Sequence, residues 1–166
     1  MDFQILFFIQ THIRNTVFTP FFIGITNEYF LLCLLILLFV YMYKKQNQKQ
    51  FVKSTLFSFI LCLLFFIILK KCFQRPRPFD LYPQIIPLVK KPHDFSFPSG
   101  HTACAFICAF MAYRQLDKKF SIPIVIFAIL VAFSRLYVGV HYPSDILGGI
   151  LLAYILYKIA FKSYAR

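Results

Sequence analysis

The chain has 166 residues, 60% of them hydrophobic, with 23 Phe, no Trp and a formal charge of +12. Soluble domains run at about 45–50% apolar, so this composition argues against an ordinary soluble core and for one membrane-embedded domain over residues 1–166. The charge does not point to nucleic acid: the lysines and arginines stand at the ends of apolar runs, where membrane-flanking cations belong, and not along a solvated stripe.

In chain order, residues 1–19 mix Phe3, Leu6, Phe7 and Ile9 with Gln10, His12, Arg14 and Asn15. That pattern predicts an amphipathic helix lying in the membrane interface, with His12 as an interfacial polar group. It lacks the basic start and small-residue cleavage site of a signal peptide. Five spans are predicted after it, over residues 29–43, 51–69, 102–113, 120–133 and 146–161. Asn27 and Glu28 stand at the mouth of the first, and Lys70 and Lys71 close the second. The third is short, so that Arg114 has to snorkel or the bilayer thin. Pro123 falls near the start of the fourth, where proline is tolerated. Between the second and third spans, residues 72–97 form a loop too rich in proline for a long helix, and long enough to be functional. Residues 134–145 are expected to be a polar connection. The expected fold is thus an all-α polytopic membrane bundle of about five transmembrane helices plus the N-terminal interfacial helix.

Cys33, Cys62, Cys104 and Cys108 lie inside apolar runs and Cys72 at a loop edge, which suits small hydrophobes and not a disulfide framework or a metal site. The basic residues orient the chain. With five spans, Lys44, Lys45, Lys49 and Lys53, then Arg114, Lys118 and Lys119, then Lys158, Lys162 and Arg166 share one side, which the positive-inside rule assigns to the cytoplasm. The opposite side holds Lys70, Lys71, Arg75, Arg77, Lys90, Lys91 and Arg135, a surplus that asks for an anionic ligand.

Three clusters meet on that second side. Lys70 is followed after six residues by Arg77 and Pro78. Pro98, Ser99, Gly100 and His101 open an apolar run, and a turn that starts a helix leaves backbone N–H groups free to hold an anion. Ser134 and Arg135 are followed after five residues by His141 and after three more by Asp145. The chemistry this suggests is phosphoryl transfer without a metal. Lys70, Arg77 and Arg135 supply positive charge, and Ser99 with the backbone at Gly100 supplies neutral donors. Of the two histidines, one attacks phosphorus and the other protonates the leaving oxygen. Asp145 can accept a hydrogen bond from one ring nitrogen of His141 and leave the other free. Asp80, Asp94 and Asp145 are too scattered to hold magnesium.

These clusters resemble the three signature motifs of the type-2 phosphatidic acid phosphatase superfamily, with every motif position met. The resemblance implies a helical bundle with its site at one membrane face. It implies His141 as a nucleophile forming a phosphohistidine, His101 as general acid and then base, and Asp145 as the group that orients His141. Lys70, Arg77, Ser99, Gly100 and Arg135 would hold the phosphoryl group, with no cofactor. The arrangement is similar to that of compact bacterial undecaprenyl-diphosphate phosphatases, which implies a bacterial cytoplasmic membrane, an extracytoplasmic site and a phosphorylated lipid substrate. Phosphatidylglycerol phosphate, phosphatidate and the phosphates of lipid A compete as substrates, and Asp80, Tyr82, Lys90, Lys91, His93 and Asp94 are loop residues positioned to choose among them or simply to be solvated. A rival of another class is a transporter or lipid-binding protein that only holds an anion; the near absence of charge within the spans argues against conduction. Oligomeric state is left open.

Overall fold

The computed structural model describes residues 1–44 and 49–164. Lys45 and Arg166, counted above among the flanking cations, lie outside the described residues. Among the described residues the regular structure is all helical. Helix α1 (Asp2–Phe8) continues into a π-helical turn (Ile9–Ile13). Then come α2 (Thr19–Thr26), α3 (Glu28–Lys44), α4 (Lys49–Phe73), the single turn α5 (Pro78–Leu81), α6 (Gly100–Gln115), α7 (Lys118–Tyr137) and α8 (Pro143–Tyr164).

Helices α4, α7 and α8 are each long and apolar enough to cross a membrane. Helices α2 and α3 qualify as a fourth span if taken together, and they are bent by 62° around Asn27. The Asn27 side chain accepts the Phe30 N–H at 3.1 Å and so caps α3 at the bend. Helix α6, the third expected span, has 16 residues, about 24 Å of helix, and it is short as anticipated. Arg114 in its last turn lies over the Phe161 ring of α8, 5.2 Å away, instead of standing alone in lipid.

The core explains why so short a helix stays in place. Ala103, Ile107, Met111 and Ala112 of α6 are buried against Phe51 and Cys62 of α4 and Ala153, Leu156 and Ala160 of α8. Small side chains let the three backbones approach, and in lipid it is this close packing, not water exclusion, that holds helices together. The other faces carry Ile60, Leu63 and Leu64 of α4, Ile126 and Ile129 of α7, and Leu147 and Leu151 of α8, all exposed, as a lipid-facing surface requires.

Three boundaries near the site and its supporting helix differ from the sequence reading. Ser134 and Arg135 do not belong to a polar connection; they lie in α7, which runs on to Tyr137, and the connection shrinks to residues 138–142. Both are buried because they face the bundle, where a polar side chain finds partners that lipid would deny it. Asp145 likewise stands in the first turn of α8. Helix α7 also starts at Lys118, so Pro123 lies inside it and not at its entry. At the N-terminus, the segment is tied to the bundle end: Gln10 donates to the Leu136 and Tyr137 carbonyls at 2.7 and 2.9 Å, and Arg14 donates to Tyr137 at 3.0 Å. His12 stacks on Phe8 and does not line the cavity that holds the other histidines.

Candidate active site

Alternation of the chain direction brings the C-terminal ends of α4 and α7 and the N-terminal ends of α6 and α8 to one end of the bundle. Lys70 stands in the last turn of α4, where the helix dipole favours a cation. Arg77 follows at the N-cap of α5, with its own N–H bonded to Asp80 at 3.2 Å. Both are buried, and both reach one acid from the long loop. Lys70 Nζ is 2.8 Å from one oxygen of Asp94, and Arg77 Nη2 is 2.6 Å from the other. Burial alone would raise the Asp94 carboxyl, but hydrogen bonds from Lys70 and Arg77 override it and hold it at about 2. Arg77 is fixed further by bonds of 2.8 Å to the carbonyls of Asp94 and Val140.

His141 leads into α8 and is 2% exposed. Its Nδ1 lies 3.3 Å from Asp145 Oδ2, and its Nε2 lies 3.5 Å from Arg77 Nη1. A carboxylate can only accept, so Nδ1 carries the hydrogen and Nε2 keeps its lone pair on the side of the cations. Burial lowers the His141 imidazole to about 4, with Arg135 and Arg77 acting in the same direction and the Asp145 hydrogen bond opposing. The ring is therefore neutral at pH 7.

Helix α6 opens at Ser99 and Gly100. Ser99 N–H donates to the Asp145 carbonyl at 3.1 Å, and its buried hydroxyl accepts from Thr102 at 2.9 Å. Gly149 of α8 permits this approach, because a Cβ there would sit 2.7 Å from the Ser99 carbonyl oxygen. Arg135 projects from α7 and bonds the Thr26 hydroxyl, while its buried Nε has no partner among the described residues. An orphan charged donor of this kind costs free energy unless a ligand takes it up.

Lys70, Arg77, Gly100, His101, Arg135 and His141 all line one cavity of about 1140 Å³. From this cationic end the cavity runs between α3, α4 and α7 along Leu31, Leu35, Phe59 and Phe127. Lys90, Lys91, His93 and Asp94 edge its mouth, as does Glu28.

Residues 51–166 match the PAP2 superfamily. The chain belongs to it. It is 32% identical over 150 residues to undecaprenyl-diphosphatase BcrC of Bacillus subtilis, an overlap of 90% of this chain and 76% of that protein. Several other curated relatives are spanned over only about half of their own length. Among solved structures the fold is similar to LpxE of Aquifex aeolicus, with a TM-score of 0.83 at 30% identity over 97% of this chain and 94% of that one. It is also similar to a transmembrane PAP2-type phosphatidylglycerolphosphate phosphatase from Bacillus subtilis, with a TM-score of 0.78 at 28% identity over 98% of this chain and 84% of that one. This PAP2 chain is accordingly an integral membrane phosphatase.

All eight residues singled out in the sequence of this PAP2 protein fall at one end of the bundle, but not all face the cavity. Asp145 stands behind His141, and Ser99 is turned to Thr102. Sequence reasoning left out Asp2 and Ser96, counted Arg75 only among the cations of this side, and gave Asp94 no definite task. A signal was available: the chain has only six acidic residues, and Asp2, Glu28, Asp80, Asp94 and Asp145 all gather at this end.

Proposed function

We propose that residues 1–166 act as a single lipid phosphatase domain that removes the terminal phosphate of undecaprenyl diphosphate through a phosphohistidine on His141, without a metal. The observation that carries this reading is the His141 ring, tied to Asp145 by Nδ1 and turned by Nε2 into a cavity that is also lined by Lys70, Arg77, Arg135 and His101.

In the first step the Nε2 lone pair forms a bond to the terminal phosphorus, and the bond from phosphorus to the bridging oxygen breaks. His101 gives its proton to that oxygen, and undecaprenyl phosphate leaves. In the second step His101 takes a proton from water, the hydroxide attacks phosphorus, and the bond to His141 breaks to free phosphate. Lys70, Arg77, Arg135 and the N–H groups at the start of α6 bear the charge that spreads over the phosphoryl oxygens. The apolar reach of the cavity suits an isoprenoid tail, and the overlap with an undecaprenyl-diphosphatase supports the diphosphate.

The test is phosphate release by the purified protein across undecaprenyl diphosphate, phosphatidylglycerol phosphate, phosphatidate and lipid A. The diphosphate should be hydrolysed fastest, His141→Ala should lose at least about a thousandfold in rate, and EDTA should leave the wild type unaffected. Turnover by His141→Ala, or loss of wild-type turnover in EDTA, would overturn the mechanism. A faster monophosphate would overturn the substrate alone.

A further inference from the structure

The Asp145 carboxylate is fully buried and has more partners than His141. Its Oδ2 accepts from His141, from the Tyr142 N–H at 2.8 Å and from the Ser96 hydroxyl. Its Oδ1 is taken by Arg75 Nη1 at 2.7 Å. The same nitrogen lies 2.6 Å from the Ser144 hydroxyl, and the guanidinium stacks over the Tyr142 ring at 4.0 Å. Its other end, Nη2, is held 2.8 Å from Asp2 of α1. Asp2 in turn accepts the Ser144 N–H at 3.1 Å and bonds the Ser144 hydroxyl, so it sits at the start of α8 on the favourable side of the helix dipole. Neither Arg75 nor Asp2 lines the cavity. Whatever they do to the reaction they do through Asp145.

We propose that Arg75, steadied by Asp2, is a positioning residue that locks the Asp145 carboxylate with Oδ2 toward His141 and offsets part of its negative charge. The proposal rests on His141 being the nucleophile. A planar guanidinium gripping Ser144, Asp145 and Asp2 fixes the carboxylate in a way a point charge does not. An Asp145 with its charge partly offset orients His141 without making the ring basic enough to protonate. The other ionisable groups around His141 are Arg77 beside α5, Arg135 of α7, His101 of α6 and Lys70 of α4, with Asp94 paired to Lys70 and Arg77. Among the described residues none of these groups is bonded to the Arg75 or Asp2 side chain.

The experiment compares wild type, Arg75→Gln, Arg75→Lys, Asp2→Asn and His141→Ala as full chains in detergent, using the lipid that releases most phosphate in the panel above. It records kcat, KM and the pH profile of kcat/KM. Arg75→Gln should lower kcat by about ten- to a hundredfold, leave KM within about threefold, and move the acid limb up by about one pH unit as the full charge of Asp145 makes His141 more basic. Arg75→Lys should return the limb toward wild type while kcat stays low. Asp2→Asn should move the limb the other way, to lower pH, because Arg75 is then less neutralised. A purely structural role would lower the active fraction without moving the limb. Limbs that overlay wild type in Arg75→Gln and Asp2→Asn, or a loss confined to KM, would overturn the proposal. If Arg75→Gln does not fold, Arg75→Lys and Asp2→Asn decide it. Activity in His141→Ala would instead sink the nucleophile reading, which separates the two failures.

Discussion

At the scale of single residues the site balances three buried cations against a few well-placed acids. Asp145 is enclosed and committed to His141, Tyr142, Ser96 and Arg75. Asp94 is different: its side chain is 49% exposed, yet it grips both Lys70 and Arg77. A half-exposed ion pair contributes about 1 kcal/mol or less once water screens it. Charge-assisted hydrogen bonds to a phosphoryl group are worth about 1.5–3 kcal/mol, so on the proposed reading a phosphate would win the two cations from Asp94 at modest cost. Replacing Asp94 with Asn should therefore tighten inhibition by orthovanadate about three- to fivefold, the equivalent of that lost competition. An inhibition constant equal to or weaker than that of wild type would show that Asp94 does not compete. The pair does not depend on pH in the working range. With the carboxyl held near 2, its contribution is complete above the ordinary carboxylate value and is lost only as pH falls through about 2.

At the scale of elements, the sequence was most informative where a residue's neighbours along the chain are also its neighbours in space. Lys70 and Arg77, Gly100 and His101, and His141 and Asp145 could be read because each cluster is local and each sits at a span end. Arg135 was recognised but misplaced, since polarity was taken as the end of the helix. Helical periodicity would have corrected this: Ala128, Val131, Ala132 and Arg135 follow the i, i+3, i+4, i+7 pattern and are all buried on one face of α7. Asp2 and Arg75 are 73 residues apart, and no local pattern links them. The packing of α8 against the start of α6 was also hidden, because a glycine in an apolar run has several readings. Its role is open to test at Gly149. Alanine there places a Cβ 2.7 Å from the Ser99 carbonyl oxygen and 3.1 Å from the Thr102 Cβ, and a backbone atom cannot swing aside. Gly149→Ala should destabilise the protein by about 1–3 kcal/mol, seen as a lower unfolding midpoint in detergent. Gly24→Ala, where nothing lies within 4 Å, should leave the midpoint unchanged or slightly raised. Equal midpoints for the two variants would show that the α6–α8 approach is not tight at this point.

At the scale of the whole molecule, the alternation of the helices gathers one set of flanking cations at the end opposite the site. The helices alternate, so the α6–α7 turn with Arg114, Lys118 and Lys119 lies at the end opposite His141, and Lys158 and Lys162 are carried there by the last turns of α8. That end holds a single acid, Asp117, whereas the site end holds the other five. Lysines and arginines in short loops beside the spans are what retain those loops in the cytoplasm, and the proposed orientation puts that end inside. On the proposed reading the site should face away from the cytoplasm, where a phosphorylated lipid would enter from the outer leaflet with its tail still among the helices. Single-cysteine variants in a background stripped of the native thiols decide this directly. Gln84→Cys, exposed in the loop on the site side, should react with a membrane-impermeant maleimide in intact cells. Asp117→Cys, exposed in the turn between α6 and α7, should react only after permeabilisation. The reverse labelling would turn the protein over in the membrane and place phosphate release in the cytoplasm, and would leave the proposed chemistry at His141 untouched.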